Sequence, residues 1–123
     1  MAMPIQSKGI PALSAMVRQN GADRTQAILH LTLFLSSAGF EMEFVENDTG
    51  KTEAKFKRDG AWPYAFIVNR DNLLFYLRDV TAGVVPDPPS VPVEQGKSKE
   101  RLVRIATLHE AEQLTGFLAP FIK

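Results

Sequence analysis

The chain contains no cysteine. Disulfides, thiol nucleophiles and cysteine-held metals are therefore outside its chemistry. It has two histidines, His30 and His109, and neither has a sequence-local partner at metal-ligand spacing. There is no excess of charge of either sign: 14 basic and 14 acidic side chains give a formal net charge of zero. A neutral chain has no global attraction for nucleic acid. Long apolar runs are missing too. The strongest, from Ala27 to Leu35, is far too short to span a bilayer. Met1 to Gln6 shows no charged leader before an apolar core, so no secretion signal is expected. With the absence of cysteine, this leads to an expected cytoplasmic location.

Catalytic spellings are equally scarce. Gly50-Lys51-Thr52 echoes the tail of a phosphate-binding loop without its upstream glycine. Ser14 and the pair Ser36-Ser37 lack the pattern that activates a serine. No cofactor is implied, and the balance leans away from an enzyme.

A chain of 123 residues with 45% apolar and 23% charged residues is long enough for one domain with one core. Residues 1–9 read as a loose arm. Pro11 suits the first turn of a short helix to Val17 or Arg18, ended by Asn20-Gly21. Asp23 and Gln26 have the spacing of a capping box for a longer helix that runs to Ser37 and stops before Gly39. On that helix Ala27, Ile28, Leu31, Phe34, Leu35 and Ala38 share a broad face. Leu29 and Leu33 fall on the opposite side, one turn apart, and ask for a second partner surface.

Strict alternation marks Phe40 to Phe44 and Thr52 to Lys57 as half-buried strands. Asp48-Thr49-Gly50 suits a bulged hairpin with Gly50 in the left-handed position. The resulting register sets Phe44 opposite Ala54, Met42 opposite Phe56, Glu43 opposite Lys55, and Glu41 opposite Lys57. Asp59-Gly60 makes the next turn. Pro63 to Val68 and Leu73 to Leu77 are apolar on nearly every residue, as central strands are. Residues 80–100 hold four prolines and read as a long loop. Arg101 to Ile105 alternates as a fifth strand. Thr107 and Glu110 form a capping box for a last helix, with Leu108, Ala111, Leu114 and Leu118 on its core face. The expectation is an α+β domain: an antiparallel five-stranded meander with two N-terminal helices and one C-terminal helix packed on it.

Glu53-Ala54-Lys55 with Asp48 spells a metal-dependent nuclease, whose carboxylates must converge on a cation. The register instead spreads them: Asp48 sits in the loop, and Val45 is the cross-strand neighbour of Glu53. Opposite-charge strand pairs account for the same residues. Ten of the fourteen basic side chains lie between Lys51 and Arg104. Lys55, Lys57, Arg58, Arg70 and Arg78 run among Phe56, Trp62, Tyr64 and Tyr76, a mixture that nucleic-acid-binding sheets use. Glu41, Glu43 and Glu53 share the hairpin face and reduce that field. Trp62 before Pro63 is a packing anchor or, if exposed, an interface residue.

The leading expectation is a non-catalytic protein-binding module, with a homodimer formed over surplus apolar surface such as Leu29 and Leu33. The alternative is a nucleic-acid-associated accessory protein using residues 51–78. A metal-dependent nuclease ranks third.

Overall fold

A computed structural model describes residues 22–46, 48 and 50–122. Its elements in chain order are α1 (Ala22–Ser37), β1 (Glu41–Glu46), β2 (Thr52–Arg58), β3 (Ala61–Val68), β4 (Leu73–Leu77), β5 (Val93–Gln95), β6 (Arg101–Ile105) and α2 (Leu108–Leu118). Short 3-10 turns occupy Asp79–Thr81 and Ala119–Phe121. All strand pairs are antiparallel, in the order β1-β2-β3-β4-β6-β5. The class is α+β, as expected. The helix expected at residues 11–18 and the arm at 1–9 lie outside the described residues.

The β1–β2 hairpin has the register its alternation dictates. Phe44 faces Ala54, Met42 faces Phe56, Glu43 faces Lys55, and Glu41 faces Lys57. Gly50 has a φ of 79°, the left-handed conformation that a residue without Cβ adopts at no steric cost. The β2–β3 link is a two-residue turn with positive φ at both Asp59 and Gly60. Such a primed turn matches the right-handed twist of the flanking strands, and Asp-Gly is among its preferred spellings.

Alternation sends one residue set toward the helices. Phe56, Phe66 and Phe75, with Leu73, Leu77, Val103 and Ile105, meet Ala27, Ile28, Leu31 and Leu35 of α1 and Ala111, Leu114 and Leu118 of α2. Each phenylalanine taken out of water this completely contributes about 1.5–3 kcal/mol. Phe56 and Phe66 lie 5.7 Å apart across neighbouring strands. Helix α2 starts with the full capping box: the Glu110 amide donates to Thr107 Oγ1, and Glu110 Oε1 accepts from the Thr107 amide.

Four features differ from the sequence reading. The sheet has six strands rather than five, because Val93–Gln95 pairs with Arg101–Ile105 inside the segment read as loop. The simple meander also ends at β4: β6 lies between β4 and β5, which places the shortest strand at the sheet edge. Val85 and Val91 of that segment belong to the core. Finally, Asp23 lies inside the first turn of α1, and its Oδ1 accepts a hydrogen bond from the Leu108 amide, 2.8 Å away. The carboxylate thus satisfies a donor at the start of α2, joining the beginnings of the two helices.

Candidate functional site

Both helices lie on one side of the sheet. The other side carries the second alternation set, in rows across the strands. One row runs Glu43, Lys55, Ala65, Tyr76, Leu102, Glu94, and the next runs Val45, Glu53, Ile67, Leu74, Arg104. Charges therefore crowd the margins, and Ala65, Ile67, Leu74, Tyr76 and Leu102 form the middle. Lys57 lies over the Trp62 ring at 5.6 Å from its centroid, a cation–π contact. Arg78 sits 3.8 Å from Glu100. Burial holds the Glu100 carboxyl above its ordinary pKa, only partly countered by Arg78. Burial likewise raises the Tyr76 hydroxyl.

A second place gathers side chains from five separate stretches of chain. At the end of β2 the register slips, so that Phe56 pairs with Tyr64 but Arg58 pairs with Ala61. Pro63 lies in this irregularity, where the ladder tolerates a missing N–H. Arg58 is turned toward the helix side. Its Nη1 donates to the carbonyls of Ala38 (2.9 Å) and Ile122 (2.7 Å), and its guanidinium lies 4.5 Å from the Phe40 ring centroid. One cation thus ties the end of α1, the sheet and the C-terminal turn together. Its Nη2 makes no hydrogen bond among the described residues, while the exposed Asp59 carboxylate lies 4.0 Å from its Nε.

Beside Arg58 opens a cleft of about 180 Å³. Phe40, Tyr64, Val85 and Ile122 are its buried walls, and Val80, Val84 and Phe121 stand at its rim. The Tyr64 ring is buried, and its hydroxyl makes no hydrogen bond to the described residues. Burial pushes its pKa up, outweighing the opposing pull of Arg58 and Arg101. The phenol therefore stays a neutral donor at physiological pH. Val84 is 65% exposed, Val80 54% and Phe121 38%. Asp59 also lines the cleft, its exposed carboxylate 4.0 Å from Arg58 Nε. The pocket thus joins apolar walls to a fixed cation, one neutral donor and an exposed, loosely held carboxylate at its edge.

The residues singled out from sequence are dispersed. Lys55, Lys57 and Trp62 share the open sheet face, with Arg78 at its margin. Arg58 is drawn to the opposite side and into the cleft. Arg70 is exposed in the β3–β4 turn, where its carbonyl accepts from Arg24 Nη1. Leu29 (41%) and Leu33 (54%) remain exposed on α1. Glu53 pairs with Val45 along the strand, and Asp48 is exposed in the hairpin loop. No group of three or more metal-ligating side chains gathers among the described residues. His30 Nε2 lies 2.8 Å from Thr115 Oγ1, bridging the helices, and His109 is exposed.

The sequence reading missed Phe40, Tyr64, Val80, Val84 and Phe121 as companions of Arg58. The available signal was valines and a phenylalanine in stretches otherwise spelled as turn and loop, outside any amphipathic pattern. No described helix is long and apolar enough to cross a membrane. Comparison of the chain with family models, curated proteins and solved structures finds no match.

Proposed function

We propose that this chain is a non-catalytic module that works by binding another protein through the Arg58 cleft. The observation that supports this is the rim. Of the five large apolar side chains exposed among the described residues, Val80, Val84 and Phe121 surround this one opening. Single exposed apolar residues need no explanation, but three around a cleft with a polar floor form an interface-like patch. A photo-crosslinking residue at position 84, introduced in the native cell, should yield a discrete protein adduct. The same residue at exposed position 109 should not, and Val80→Glu should abolish the adduct at 84. Equal labelling from both positions, or none from 84, overturns the proposal.

A second reading has its own support. Lys51, Arg70 and Arg104 surround Tyr76, Ile67 and Leu74 in an open depression on the sheet's other face, a combination suited to single-stranded nucleic acid. Glu94 takes two hydrogen bonds from Arg104, at 2.6 and 3.3 Å, and Glu53 adjoins the depression, so the local field is weak. Binding of single-stranded DNA or RNA that falls steeply with salt, and falls further in Arg70→Ala, would favour this reading.

A further inference from the structure

We infer that the Arg58 cleft recognises the free C-terminal carboxylate of a partner polypeptide whose last residue is apolar. This rests on the protein-binding reading above and names what the cleft takes. Its volume of about 180 Å³ sets the scale. An engineered protein cavity of about 150 Å³ holds benzene. The space therefore takes one ring or one branched alkyl group, not a length of chain.

The floor sets the charge. Arg58 is held by the Ala38 and Ile122 carbonyls and by the Phe40 ring, so its position is fixed before any ligand arrives. In the cleft, its Nη2 and the Tyr64 hydroxyl make no hydrogen bond among the described residues, and the exposed Asp59 carboxylate stays 4.0 Å from its Nε. One incoming carboxylate placed here meets both donors, in exchange for the long Asp59 contact; charge-assisted bonds of this kind are the stronger ones. Ordering a guanidinium in advance also lowers the cost of binding.

Carboxylate and apolar group must arrive within the reach of one residue. At a chain's C-terminus the α-carboxylate and the side chain share one carbon, which meets that demand. An internal aspartate or glutamate brings the carboxylate but no apolar body. A free amino acid brings both, with an ammonium group close to Arg58 that an amide in a polypeptide does not carry. A small free acid would fill the cleft and leave Val80, Val84 and Phe121 in water. The residues preceding a polypeptide's terminus would cover that rim. Capture of a terminal carboxylate is a recurrent mode of peptide recognition.

The test uses the full chain and four pools of N-acetylated hexapeptides ending in leucine, isoleucine, valine or phenylalanine. Each pool is prepared with a free C-terminal carboxylate and, separately, with a C-terminal amide. At least one carboxylate pool should bind, and its amide counterpart should bind at least about tenfold more weakly, a difference of roughly 1.4 kcal/mol. Tyr64→Phe, which keeps the ring, should weaken the carboxylate pool several-fold without shifting thermal unfolding downward. Val84→Glu should weaken it too. The free acid 4-methylpentanoate should bind far more weakly than the peptides. Equal binding of acid and amide forms, binding of 4-methylpentanoate as tight as the peptides, or no binding of any pool at millimolar concentration overturns the inference. If the position-84 adduct persists despite such a result, the cleft still binds protein and only terminal recognition fails. Loss of both defeats the two readings together.

Discussion

The Arg58 guanidinium lies 4.5 Å from the centre of the Phe40 ring while its Nη1 bridges the carbonyls of Ala38 and Ile122. A lysine cannot copy this. Its ammonium is not planar and cannot stack on the ring while holding two carbonyls in a fixed geometry. Arg58→Lys should lower unfolding stability by about 1.5–3 kcal/mol, the range for hydrogen bonds to charged groups. Urea titration should show a lower midpoint with an unchanged slope.

Thr32 is buried in α1 and its hydroxyl has no partner among the described residues. Thr32→Val exchanges that hydroxyl for a methyl of similar size. It should raise stability by about 1–2 kcal/mol, the usual cost of an unmade buried hydrogen bond. A higher thermal midpoint with an unaltered circular dichroism spectrum would confirm it.

Glu100 should weaken the fold as pH rises. Its carboxyl is raised by burial above the ordinary value, so the unfolded chain loses this proton at lower pH than the folded one. Between the two values the folded state binds more protons, and stability falls with increasing pH. Above both, the penalty is complete. Glu100→Gln should therefore be more stable than the parent at pH 7. The difference should close on acidification to below about pH 4, near the carboxyl's ordinary range. Denaturant midpoints of both proteins across this range are the measurement.

Replacing residues 84–98 with a short Gly/Ser linker should be strongly destabilising. It removes Val85 and Val91 from the core, the β5 ladder with β6, and the 2.9 Å contact between Arg101 Nη1 and Asp87 Oδ1. Arg101 is largely buried and already has an unpartnered Nε. Losing two buried valines alone costs about 3–6 kcal/mol. A cooperative melt within about 1 kcal/mol of the parent would contradict the packing, since a shorter loop by itself closes at lower entropic cost.

Leu29 and Leu33, exposed one turn apart on α1, support the proposal of a homodimer through this helix. Sedimentation at tens of micromolar, on the order of weak-dimer affinities, should give a dimer for the parent and a monomer for Leu33→Glu. A monomeric parent removes the proposal.

The first hairpin was legible because its signals are local. Alternation fixes which of Met42, Glu43 and Phe44 face inward, and glycine at position 50 fixes the turn, so the whole register follows. Helix α2 was legible for the same reason, its cap being spelled in four consecutive residues. Strand β5 was not. Three residues beside Pro92 have no period of their own, and only pairing with β6 makes them a strand. Val85 and Val91 were hidden by the prolines and charges around them. Asp23 was misread because its partner, the Leu108 amide, is 85 residues away. The cleft shares that difficulty: Phe40, Arg58, Tyr64, Val84 and Phe121 come from separate segments, and no short window of sequence contains their arrangement.

Among the described residues the sheet ends at β1 on one side and β5 on the other. Unpaired edges are templates onto which foreign strands can add, the first step of fibre growth. Here one edge is only three residues long and follows a proline. The other carries Glu41 and Glu43 along it and Glu46 at its end. A like chain approaching β1 meets its own negative charge, and one approaching β5 finds too short a ladder to hold. The same acidic margin that lies across the ladder from Lys55 and Lys57 thus disfavours strand addition by a neighbouring molecule in crowded solution. Replacing Glu41 and Glu43 with valine would leave the fold's core contacts in place and turn a guarded border into an aggregation seam.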